Sequence, residues 1–125
     1  MIEYKVKVYS DRTVWYNSND QLHRLYGPAS EWVDGTKMWY LNDQLHREDG
    51  PAYEGANGSK HWCLNGKRHR LDGPAIEWAD GDKYWFIEGE QLTEQEFLDR
   101  NKVELTLEEI ANKFNIDVKQ LKIKK

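Results

Sequence analysis

Three His-Arg pairs, His23-Arg24, His46-Arg47 and His69-Arg70, recur at one spacing and are the side chains best equipped for chemistry in this chain of 125 residues. Imidazole ligates metals and moves protons, and guanidinium grips phosphate. A metal site needs its ligands about 2.0–2.1 Å from one ion. Equivalent residues of successive hairpins lie two strands apart, roughly 9–10 Å, so one ion does not bridge them. No second His or Cys recurs within a repeat, and the sequence predicts neither a metal nor another cofactor. The pairs therefore read as scaffold: each Arg pairs with Glu48, Asp49 or Asp72, or with the column Glu31, Glu54 and Glu77, while each His bonds a turn carbonyl. An arginine column that tracks phosphates is the functional alternative, and the neighbouring acidic columns weaken its field.

Other catalytic signals are weak. No Ser or Cys sits in a nucleophile motif, no glycine-rich loop opens a helix to cradle phosphate, and the glycines have turn duties. The lone Cys63 occupies a slot filled in the other repeats by Tyr16, Tyr40 and Phe86, which is a packing role. The expectation is a protein that is not an enzyme and has no catalytic residues. A net charge of −4 argues against a broad nucleic-acid or anionic-membrane footprint. With no long apolar run, neither a signal peptide nor a membrane span is read, and the cytoplasm is the expected location.

These residues are placed by a repeat. From Trp39 the chain reads WYLNDQLHREDGPAYEGANGSKH, and from Trp62 WCLNGKRHRLDGPAIEWADGDKY, a period of 23 residues. An earlier copy spans residues 15–38 with one insertion near Ser18, the next two span 39–61 and 62–84, and a partial copy occupies 85–92. Such a period means stacked supersecondary units. Asp34-Gly35, Asn57-Gly58 and Asp80-Gly81 mark one tight hairpin per repeat. Asn42-Asp43, Asn65-Gly66 and Glu88-Gly89 mark a second reversal, and Gly-Pro at 27–28, 50–51 and 73–74 marks a strand start or edge. The predicted fold is mainly β: a single-layer antiparallel meander of hairpin repeats over residues 1–92, with a small α-helical cap over 93–125. Residues 1–10, with Ile2, Tyr4, Val6 and Val8 alternating against polar neighbours, form a capping strand with one buried face.

Asn65-Gly66-Lys67-Arg68-His69, the later Ala79-Asp80-Gly81-Asp82-Lys83-Tyr84 and the period together resemble the MORN (membrane occupation and recognition nexus) repeat over residues 13–90. The resemblance implies an elongated sheet of successive hairpins. Arg70-Leu71-Asp72-Gly73-Pro74 stands where that family carries glycines, so it implies the architecture more than lipid binding. The HRxxGPA and WYLN elements are also similar to small repeat proteins of tailed bacteriophages and some bacteria.

A two-residue turn at Asp34-Gly35 sets Trp32 opposite Lys37 and Ser30 opposite Trp39. Trp32, Trp39, Leu41, Trp62, Leu64, Ile76, Trp78, Trp85 and Ile87 then share the buried face, and a bulged turn would exchange the faces. The other face carries Glu31, Met38, Tyr40, Glu54, His61, Glu77, Tyr84 and Phe86, with Cys63. Aromatic area mixed with carboxylates suits a basic or amphipathic protein partner. The leading expectation is a protein-binding module, for example a phage-type inhibitor or adaptor of a host protein.

The tail supplies the alternative. Thr93-Glu94-Gln95-Glu96 has capping-box spacing and predicts a short helix to about Arg100. Residues 107–121 are similar to the first helix, turn and start of the second helix of helix-turn-helix proteins, which would set Lys119, Lys122, Lys124 and Lys125 against phosphates. A structural homo-oligomer is the third reading.

Overall fold

In a computed structural model of the chain, residues 4–100 are described. The fold is mainly β, as expected, with strands β1 (Lys5–Val8), β2 (Arg12–Tyr16), β3 (Ser30–Trp32), β4 (Lys37–Met38), β5 (Tyr40–Leu41), β6 (Gln44–Leu45) and β7 (Tyr53–Glu54). Then come β8 (Lys60–His61), β9 (Cys63–Leu64), β10 (Lys67–Arg68), β11 (Ile76–Glu77), β12 (Lys83–Ile87), β13 (Glu90–Leu92) and helix α1 (Glu94–Arg100). Nine strands form one open sheet in the order β1-β2-β3-β4-β7-β8-β11-β12-β13. β5 with β6, and β9 with β10, form separate two-stranded ribbons. Each middle repeat thus makes two hairpins, one in the long sheet and one beside it, rather than one step of a simple meander.

The two turns of a repeat differ in backbone. At Asn42-Asp43, Asn65-Gly66 and Glu88-Gly89 both residues have positive φ, as a two-residue type I′ turn requires. At Asp34-Gly35, Asn57-Gly58 and Asp80-Gly81 only the glycine does, with Gly35 at 100°. There the Gly35 amide donates to the Trp32 carbonyl at 3.0 Å and the Trp32 amide donates to the Thr36 carbonyl at 2.9 Å. These are three-residue loops closed by a glycine bulge. The Asp34 carboxylate accepts from the Thr36 amide at 2.8 Å, and Asn57 and Asp80 repeat that bond to Ser59 and Asp82.

The extra residue shifts the register by one from the expected pairing. Glu31 faces Lys37 and Ser30 faces Met38, so the first strand of every long-sheet hairpin turns over. Glu31, Glu54 and Glu77 join Trp39, Trp62, Leu41 and Leu64 on one face. Trp32, Ile76 and Trp78, expected beside Trp39 and Trp62, join Met38, Tyr40 and His61 on the other.

Burial is shallow. The deepest side chains are small: Ala29, Ala52 and Ala75, from the recurring Gly-Pro-Ala, have no exposed surface. Cys63 is buried in its packing slot, and burial pushes its thiol pKa up. β1 does form the outermost strand, but Val6 and Val8, expected on its buried face, are 49 % and 77 % exposed. At the other end the capping box is reciprocal, with the Thr93 amide donating to Glu96 Oε1 and the Glu96 amide to Thr93 Oγ1, each at 3.1 Å. These bonds hold the Glu96 carboxyl below its ordinary pKa. The helix-turn-helix-like segment expected over 107–121, and with it Lys119, Lys122, Lys124 and Lys125, lies outside the described residues.

Candidate functional site

The His-Arg pairs belong to a three-part stack on what we term the arginine face. The Arg24, Arg47 and Arg70 guanidinium carbons lie 4.0, 3.8 and 3.7 Å from the ring centroids of Trp15, Trp39 and Trp62. On the other side of each guanidinium lies a glycine backbone. A Cβ on Gly27, Gly50 or Gly73 would fall 3.0, 2.9 or 3.0 Å from the guanidinium carbon, which is why glycine precedes each proline. Each Arg also donates to the carbonyl of Pro28, Pro51 or Pro74 at 3.1 Å. Glu31, Glu54 and Glu77 complete the set at 3.5, 3.1 and 3.4 Å, as expected of the scaffold reading. Asp49 and Asp72 add second carboxylates, both at 2.9 Å.

Each His acts on the next repeat, with its polarity opposite to expectation. His23, His46 and His69 do not donate to turn carbonyls; their Nδ1 atoms accept from the amides of Asn42, Asn65 and Glu88 at 3.1, 2.9 and 2.9 Å. The bond satisfies an amide at the start of a type I′ turn, where no ladder partner exists. Along the same face, register sets Glu31, Lys37, Glu54, Lys60, Glu77 and Lys83 side by side with alternating sign. Opposite charges on neighbouring strands favour this register.

The opposite, aromatic face is where the predicted binding residues divide. Met38, Tyr40, His61, Tyr84 and Phe86 lie here, whereas Glu31, Glu54 and Glu77 are on the arginine face, separated from them by the bulged turn. Phe86 is also too buried, at 8 % exposed, to be a contact residue. In their place the fold brings in Tyr53 and Trp78. The His61 ring sits 4.9 Å from Tyr53 and 4.8 Å from Trp78, edge-on to the latter. Among the described residues its Nε2 and the Trp32 Nε1 are buried with no hydrogen-bond partner. Burial, and then the nearby Arg68, lower the His61 pKa. Burial raises that of Tyr40, whose hydroxyl lies 3.7 Å from Met38 Sδ.

Strand charges on the aromatic face are all cationic. Lys5 pairs with Asp20 at 2.9 Å. Lys7 lies over Tyr16, Arg12 over Tyr9 and Trp32, and Arg68 over Phe86. Sequence reasoning missed Tyr53, Trp78 and Arg12 because it assumed the two-residue turn; the register with one more loop residue would have found them. Among the described residues no group of three or more His, Cys, Asp or Glu is placed to hold a metal ion, and no helix is long and apolar enough to cross a membrane. No protein-family model, curated protein or solved structure matches the chain.

Proposed function

We propose that this chain is a non-enzymatic protein-binding module, working in the cytoplasm, whose contact surface is the aromatic face. The observation that carries the reading is the cluster of Tyr53, His61 and Trp78 beside Tyr84, which lies in an open sheet with Trp78 and Tyr84 still 42 % and 38 % exposed. Helix α1 packs on β12 and β13. At about 10 Å long it does not reach across a sheet roughly 38 Å wide. Large aromatics that pack on one side and stay open on the other are the usual anchors of an interface.

Charge selects the partner. With Glu31, Glu54 and Glu77 on the far side, Lys7 and Arg68 favour an apolar surface bordered by acidic groups rather than the basic surface that the sequence suggested. The likeness to phage repeat proteins makes an inhibitor or adaptor of a host protein one concrete form. The test is to purify the chain from its own cellular context with nuclease present, rebuild any stoichiometric complex from pure components, and measure its affinity. Trp78→Ala with Tyr84→Ala is expected to weaken it about tenfold or more with the fold intact. Unchanged affinity would sink the reading. A lone dimer shielding Trp78 would replace it with the homo-oligomer, and nucleic acid as the only companion would move the function to the lysine-rich tail.

A further inference from the structure

Arg12, Arg24, Arg47, Arg70 and Arg100 each lie within 3.5 Å of a carboxylate oxygen. Arg68 does not: among the described residues it has neither an ion pair nor a hydrogen-bond acceptor for its guanidinium. Its cross-strand neighbour is Cys63, whereas the equivalent pairs in the flanking hairpins are Tyr40 with Leu45 and Phe86 with Gln91. The middle hairpin thus carries a thiol where its neighbours carry a ring, and a guanidinium opposite it. Beside the smaller side chain lies a pocket of about 340 Å3, walled by Leu45, His61, Cys63, Lys67, Arg68 and Phe86. No carboxylate lines it, although Glu88 adjoins Gly89 at its edge. Asp43, two residues before Leu45, accepts instead from the Leu22 amide of the preceding repeat at 2.6 Å. The charge of Arg68 reaches the walls uncancelled. After burial it is the cause that lowers the His61 pKa, and at Cys63 it opposes burial, with no carboxylate contributing to either.

We propose that this pocket binds a carboxylate carried on a short apolar stem, with Arg68 holding both oxygens and Leu45, Cys63 and Phe86 taking the stem. A guanidinium matches a carboxylate through two parallel hydrogen bonds, and the donors of Arg68 are uncommitted. Phe86, with its ring centroid 5.5 Å from the guanidinium carbon, supplies an apolar wall next to the charge. Lys67 adds a second positive charge, so a cationic ligand would meet like charges and no carboxylate. The acid comes either from a free small molecule or from the C-terminal residue of a protein chain, which present the same chemistry. The site stands whether or not the aromatic face holds a protein through Trp78 and Tyr84.

The test is a magnetic-resonance titration of the full chain at low salt with two pairs of probes. One pair is 3-phenylpropionate and its neutral amide; the other is the peptide acetyl-Gly-Gly-Phe with a free carboxylate and the same peptide as its C-terminal amide. Shifts are expected at Arg68 Nε and at the Cys63 and Phe86 amides, and each acid is expected to bind about tenfold tighter than its amide. Tighter binding of the peptide acid identifies a chain terminus as the source, tighter binding of the small acid a free molecule, and either result supports the pocket. Arg68→Gln, at an exposed position, should weaken binding about tenfold and leave the melting temperature unchanged. Cys63→Phe, which supplies the ring that Phe86 supplies in its own hairpin, should abolish binding with the fold intact. Lys5→Gln, on the same face in the outermost strand, should leave it unchanged. Equal affinity of acids and amides, binding of neither acid, or full binding by Arg68→Gln would each overturn the proposal.

Discussion

The two faces of the long sheet come from alternate residues of the same strands, yet they treat the repeat differently. On the arginine face every copy is the same: Trp15, Trp39 and Trp62 under Arg24, Arg47 and Arg70, beside Glu31, Glu54 and Glu77. On the aromatic face equivalent positions hold Val14, Met38, His61 and Tyr84 in one row, and Ser30, Tyr53 and Ile76 in another. The difference is one of contact geometry. A guanidinium held between an indole and a glycine backbone, with its donors committed to a carbonyl and a carboxylate, admits no other residue. Apolar packing on an open face tolerates changes of size and shape. The constant face therefore builds the sheet, and the varied face is free to be specific.

Truncations should break the comparison most clearly. Trp62→Ala removes the floor beneath Arg70, and we expect a loss of about 3 kcal/mol in denaturant unfolding. Trp78→Ala, at 42 % exposed, should cost about 1 kcal/mol and show its effect in partner binding instead. Equal losses from the two would contradict the division of labour. Next in size is Gly50→Ala. Its Cβ would fall 2.9 Å from the Arg47 guanidinium carbon, an overpacking worth about 2 kcal/mol.

An acid titration sharpens the aromatic side. Burial first, and Arg68 second, lower the folded pKa of His61 from 6.5. The unfolded chain therefore takes up the proton first. Stability from this group is complete above 6.5 and declines as pH falls from there through the folded value. His61→Phe should flatten that slope in pH-dependent melting. The smallest expected effect is Thr93→Ala, which opens the capping box for about 1 kcal/mol and leaves both faces as they are; circular dichroism would show a loss confined to helical signal.

Much of this architecture was legible in the chain. The distance from Trp39 to Trp62, the two turn signals per repeat and Thr93 to Glu96 announced the period, the hairpins and the helix start, because each depends on a local backbone requirement. The Arg-carboxylate pairing was legible as well, since both partners recur at one spacing. The Trp-Arg-Gly stack was not, because the contact of a guanidinium with an indole and a glycine backbone, as at Trp39, Arg47 and Gly50, depends on the path of the loop rather than on spacing. Nor was the exposure of Val6 and Val8: alternation says which side chains share a face, not whether anything lies over it.

The sequence by itself determined that residues 13–92 form a repeated antiparallel sheet, because turn chemistry and period are properties of neighbouring residues. Only the tertiary structure decided which side of that sheet holds the carboxylates. Asp-Gly accepts both a two-residue turn and a three-residue bulged loop, and the two differ by one step of register. The bulged loop brings each glutamate beside the arginine of its own repeat and the lysine of the neighbouring strand, and pairing of those charges across the sheet favours it over the alternative.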